Sequence, residues 1–166
     1  MATPTALPST FTANTVLPAA SLNLLRGAFR VLQVVQGTYG FQANNSTTTM
    51  ADTGLTATIT PQYNTSKILV LVQQTFGKTV GNANNAVASQ IVRGATAIYQ
   101  FQVAALYTGT LLDMVGPSTS AIYLDSPATT AATTYKTQFA NFTAAAAVNA
   151  GTNNASASIT LIEISA

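Results

Sequence analysis

The side chains that could do chemistry are few: four carboxylates, Asp52, Asp113, Asp125 and Glu163, and six cations, Arg26, Arg30, Lys67, Lys78, Arg93 and Lys136. Histidine and cysteine are both missing, which removes the usual general base near neutral pH, thiol chemistry, Cys-ligated zinc and the commonest metal ligand. Asp113 and Asp125 are the pair to weigh for glycoside hydrolysis, which needs two carboxylates flanking the scissile bond. Such pairs sit in aromatic, hydrogen-bonded clefts. Here tryptophan is absent and each aspartate adjoins a turn signal, so both read as loop caps, with Asp125 accepting from nearby loop N–H groups. Calcium could use Asp52 or Asp125 with loop carbonyls and asparagine side chains, but the acids are scattered and no loop has EF-hand spacing. A Ser/Lys dyad at Lys67, Lys78 or Lys136 has no supporting motif. The chain is therefore expected not to be an enzyme and to carry no catalytic, cofactor or metal site.

Partners are bounded by the same scarcity. Only 6% of the residues are charged, against about 25% in ordinary globular chains. The net charge of +2 comes from single cations spread along the chain. Nucleic-acid binding needs clustered Lys/Arg with stacking aromatics, so it is not expected despite a pI near 9.1. No apolar run approaches the ~20 residues of a spanning helix, and residues 1–9 lack the basic start and apolar stretch of a secretion signal. Neither membrane insertion nor secretion is expected. A chain this weakly charged gains little from electrostatic steering or mutual repulsion and reads as a part fixed in an assembly.

The elements that must position these groups are strands. Residues 66–76 anchor the reading: both period-2 sets, Ile68, Val70, Val72 and Leu69, Leu71, are apolar, which describes a central strand covered on both faces. Residues 29–36 alternate and stop at Gly37, and 38–42 read as a short aromatic strand. The 44–46 turn precedes a strand at 47–50. Leu55, Ala57 and Ile59 alternate with Thr56, Thr58 and Thr60, giving one packed and one hydroxylated face. Residues 87–93 and 95–101 pair around Gly94, two short strands fall within 103–114, and Gly116-Pro117 breaks the chain. Strands at 120–124, 133–143 and 156–164 follow, with 144–148 either a helical turn or a strand of small residues. About eight to ten short strands at this spacing, without intervening helices, describe an all-β antiparallel sandwich, jelly-roll-like. Residues 1–27 stand apart as an arm: Pro4, Pro8 and Pro18 forbid a continuous helix, yet Phe11, Val16, Leu17, Leu22 and Leu25 are too apolar for a solvated linker. Within it 19–26 could form a short helix ended by Gly27. The domain proper is 28–166.

Several stretches carry a resemblance. Val31-Leu32-Gln33-Val34-Val35, Thr60-Pro61 through Ser66-Lys67-Ile68-Leu69-Val70, Leu124-Asp125-Ser126-Pro127 through Thr133-Thr134-Tyr135-Lys136, and Ile159-Thr160-Leu161-Ile162-Glu163 resemble a β-sandwich module common in virion proteins of tailed phages. Phe11-Thr12-Ala13 through Leu17-Pro18-Ala19-Ala20-Ser21-Leu22-Asn23 looks like the attachment segment that often precedes such modules. The resemblance implies a virion structural protein, usually a homotrimer, found in capsid decoration (cement), head-fibre and tail-fibre-tip proteins. As a decoration protein it would sit on the outer surface of the capsid and bridge major capsid subunits through its arm, with Phe11, Val16, Leu17, Leu22 and Leu25 as anchors and Arg26 and Arg30 pairing with capsid carboxylates. As a fibre tip it would turn the loops after Gly81, Gly116 and Asp125 toward a host glycan. Of the aromatics, Tyr39, Phe41, Tyr63, Tyr99, Phe101, Tyr107, Tyr123, Tyr135 and Phe139 suit core or subunit-interface packing first and a sugar-binding face second.

Overall fold

Alternation in the sequence becomes two layers in a computed structural model, which describes residues 31–143 and 146–165. Ten strands follow in order: β1 Val31–Tyr39, β2 Ala43–Asn45, β3 Ala51–Ile59, β4 Lys67–Lys78, β5 Val87–Arg93, β6 Thr96–Ala105, β7 Met114–Asp125, β8 Thr133–Asn141, β9 Val148–Ala150 and β10 Ala157–Ile164. A single 3-10 turn, Thr152–Asn154, is the one helical element among the described residues. No helix there is long and apolar enough to cross a membrane. The first sheet runs β1-β10-β4, with β7 on the far edge of β4 and the short β9 and β2 continuing beyond β10 along the near edge. The second runs β3-β8-β5-β6. All pairings are antiparallel. With the two three-residue strands set aside, the orders 1-10-4-7 and 3-8-5-6 are those of an eight-stranded jelly roll.

The inner faces supply the core. Leu55, Ala57 and Ile59 of β3, Ile68, Val70 and Val72 of β4, Ile91 of β5, Tyr135 of β8, and Ile159 and Leu161 of β10 form the larger cluster. Phe76, Val87, Phe139, Val148 and Ala150 form a second, toward the C-terminal end of β4. A polar chain joins the sheets through this core: Thr53 Oγ1 lies 2.6 Å from Thr137 Oγ1, and Thr137 Oγ1 donates to Gln74 Oε1 at 2.9 Å.

Several expectations are corrected. β1 runs through Gly37, which does not stop it. A Cβ there would lie 1.9 Å from the Thr56 carbonyl oxygen, so glycine is needed for close approach of β1 to β3. Residues 38–42 are therefore no separate strand. The pairing falls at Ala43–Asn45, where a turn was expected, and 47–50 is irregular. β6 extends to Ala105 and residues 106–113 form a connection in place of two short strands. Gly116-Pro117 lies inside β7, tolerated because β7 pairs with β4 alone at the sheet edge, where proline's missing N–H costs no ladder bond. Gly94 does turn the β5–β6 hairpin, at φ +59°. Phe11, Val16, Leu17, Leu22, Leu25, Arg26, Arg30 and the short arm helix lie outside the described residues.

Candidate functional site

The carboxylates sort by the ends of the sandwich. At the end where β1 begins and β10 finishes, Gln33, Glu163, Ile68 and Asp125 share one register row across four strands. Glu163 is fully buried and accepts from Gln33 Nε2 at 2.6 Å and from the Gln62 backbone N–H at 2.7 Å. Burial pushes its carboxyl upward, but donors from Gln33, Ser66 and the Gln62 and Tyr63 backbone outweigh that and hold it below the ordinary glutamate value. Asp125 reaches across to the second sheet: Arg93 Nη1 donates to both its oxygens, at 2.8 and 2.7 Å, and the Tyr135 hydroxyl donates at 2.7 Å. Desolvation and the adjoining Asp125 raise the Tyr135 phenol above its ordinary value. Asp125 therefore ties the sheets together through side chains, where loop N–H groups were expected. Lys67 places its ammonium on Ser126 Oγ at 2.6 Å.

Asp113 is elsewhere. It accepts from the Val80 backbone N–H at the opposite end of β7. The length of that strand separates it from Asp125 by roughly 40 Å, too far to flank one glycosidic bond. Asp52, on the outer face of the second sheet, pairs with Lys136 at 2.7 Å and accepts from Gln138. No group of three or more acids converges on a metal site among the described residues.

What the structure leaves uncovered is an apolar surface. The outer face of the second sheet is polar and largely self-satisfied, through Thr58 with Thr134, Lys136 with Asp52 and Gln90 with Gln138. The outer face of the first is a grid of three rows. Val34, Ile162, Leu69 and Leu124 form the row nearest the start of β1; Gln36, Thr160, Leu71 and Ile122 the next; Thr38, Ser158, Gln73 and Ser120 the last. Apolar character thus fades from the end where the chain enters β1 toward the opposite one. Val34, Leu124 and Ile122 are 57%, 54% and 66% exposed, and a depression of about 290 Å³ opens beside Leu71 and Ile122. The expectation that β4 is covered on both faces is met on the inner one only: Leu69 and Leu71 lie half-buried on this outer face. The sequence signal for it was the second apolar set in β4, matched by Ile122 and Leu124 in β7.

The opposite end gathers the connections 40–42, 79–86, 106–113 and 142–143. They are bound to one another and to their neighbours by Phe142 N–H to Ala86 O at 2.8 Å and Thr79 N–H to Ala147 O at 3.0 Å. It exposes Phe41, Val80, Tyr107, Leu111, Leu112 and Phe142. Of the aromatics weighed in the sequence, Tyr135 and Phe139 are core, Tyr39 and Phe101 pack against it, and Tyr99 and Tyr123 stack across the sheets at 5.1 Å. Phe142 was not among them.

No protein-family model and no curated protein matches the chain. Among solved structures it is similar to the infectious bursal disease virus VP2 subviral particle, with a TM-score of 0.40 and 15% identity over 81% of this chain and 37% of that one. At that level the likeness carries nothing about assembly or binding.

Proposed function

We propose that this chain is a non-catalytic structural subunit of a virion: a homotrimeric decoration protein on the outer capsid surface, joined to major capsid subunits by residues 1–27. The observation that supports it is the uncharged, partly exposed apolar face of the first sheet. Contiguous apolar surface of this kind marks a protein interface, and a neutral face packs against a different patch of the next copy, as a closed threefold ring requires, without like-charge cost.

Magnitude assigns the leader its part. Finishing the burial of six aliphatic side chains, three of them more than half exposed, is worth on the order of 5 kcal/mol per face. That barely matches the roughly 4–15 kcal/mol lost on association. A leader carrying Phe11, Val16, Leu17, Leu22 and Leu25 supplies more apolar area, and three leaders on one trimer act multivalently.

Light scattering on the purified full chain is expected to give a mass of three chains. The exposed-site double variant Ile122→Glu with Leu124→Glu should keep the β-sheet circular dichroism and fall to one chain. Deleting residues 1–27 should abolish binding to capsids. A wild-type monomer at tens of micromolar, or undiminished capsid binding after the deletion, overturns the reading.

A further inference from the structure

At the end of the sandwich away from the start of β1, Tyr107 and Phe142 line a hollow of about 310 Å³ together with Asn84, Thr143 and Ala104. Both rings are about half exposed, 54% and 51%, so aromatic surface meets water on the walls of a concavity. Ala104 belongs to β6; the other walls come from three connections, held by hydrogen bonds between and within them. The Tyr107 hydroxyl donates to Asn84 Oδ1 at 3.2 Å, Thr143 Oγ1 donates to the Asn84 carbonyl at 3.3 Å, and the Asn84 N–H donates to Asn82 Oδ1 at 2.7 Å. Asn84 thereby has its side-chain oxygen engaged, while its amide NH2 has no partner among the described residues.

The lining selects a ligand class. No charged side chain contributes to it. Lys78 and Asp113, the ionic groups of this end, are engaged by Thr108 and by the Val80 N–H. Phosphate, carboxylate and cationic ligands would find no counter-charge. Apolar walls with a few fixed polar groups suit a small neutral molecule bearing both C–H faces and hydroxyls, and the volume lies at the lower end of the ~300–1,000 Å³ of small-molecule pockets. We propose that this hollow binds a neutral saccharide of one or two rings, its C–H face on Tyr107 and Phe142 and a hydroxyl accepting from the Asn84 amide. The hollow stands on its own geometry and does not depend on the assembly proposed above.

The test uses the purified full chain, labelled with ¹⁵N, titrated with glucose, galactose, mannose, N-acetylglucosamine and their β-1,4-linked disaccharides, with heparin disaccharide as the charged control. At least one neutral probe is expected to saturate, shifting the amides of Asn84, Tyr107 and Thr143. Tyr107→Ala and Phe142→Ala should each weaken it tenfold or more, with thermal melting and solution mass unchanged. Tyr107→Phe, which keeps the ring, should cost less than the alanine variant; should either alanine variant unfold, this comparison and the wild-type shift map decide. No saturable neutral probe, shifts mapping elsewhere, heparin binding alone, or full affinity in both alanine variants overturns the proposal. Because mass and saccharide binding are read separately, loss of one does not entail loss of the other.

Discussion

Glu163 and Asp125 show what burial does with the few charges this chain has. Each is inside, and each is matched by donors from distant segments: Gln33 lies 130 residues from Glu163, and Arg93 lies 32 from Asp125. Glu163 has a folded pKa below its unfolded one, so between the two values the unfolded chain binds more protons. Its stabilising contribution is complete above the unfolded value and is lost as pH falls through the folded one. Glu163→Gln is expected to cost about 1–3 kcal/mol at pH 7 and to flatten the loss of stability below about pH 4.3, both read from urea melts. Tyr135 has the opposite sign: its raised pKa means its contribution is full below the ordinary tyrosine value and lost at higher pH. Alkaline titration by ultraviolet absorbance should show one tyrosine that ionises only with unfolding, and Tyr135→Phe should remove it at a cost of about 1.5–3 kcal/mol, the range for a hydrogen bond to a charged group. None of these pairings was legible in the sequence, because a carboxylate's partner across a sandwich has no fixed sequence offset. What was legible was how few the acids are and how widely they are spaced along the chain.

Within elements, glycine and proline mislead when read as punctuation. Gly37 and Pro117 lie inside strands: one because β3 approaches too closely for a Cβ, the other because β7 is an edge. Gly94 is punctuation, a positive-φ turn with nothing within 4 Å of the point where a methyl group would project. Gly37→Ala is therefore expected to destabilise by about 3 kcal/mol or more through overpacking, whereas Gly94→Ala should cost about 1 kcal/mol from backbone conformation alone. Chemical denaturation of the two variants side by side checks the order. Strand identity was readable for β3, β4, β5, β8 and β10 because period-2 alternation is a local property. The short β2 and β9 were not, since three residues carry no period and pair only because β4 overruns β10.

For the whole molecule, scarcity of charge predicts how assembly should respond to salt. An interface built on Val34, Leu69, Leu71, Ile122, Leu124 and Ile162 should change affinity by less than about threefold between 50 and 500 mM sodium chloride, since no ion pair is screened across it. Sedimentation of the full chain at both salts checks this; a tenfold weakening would point to an ionic contact instead. The sequence by itself determined an all-β chain poor in charge and without histidine or cysteine, because alternation, composition and residue absence are properties of the chain alone. Tertiary structure decided which apolar set of β4 is core and which is surface, and which loops meet around Tyr107 and Phe142. Those are matters of which strands become neighbours, and period-2 spacing reports that two faces exist without saying which one another sheet will cover.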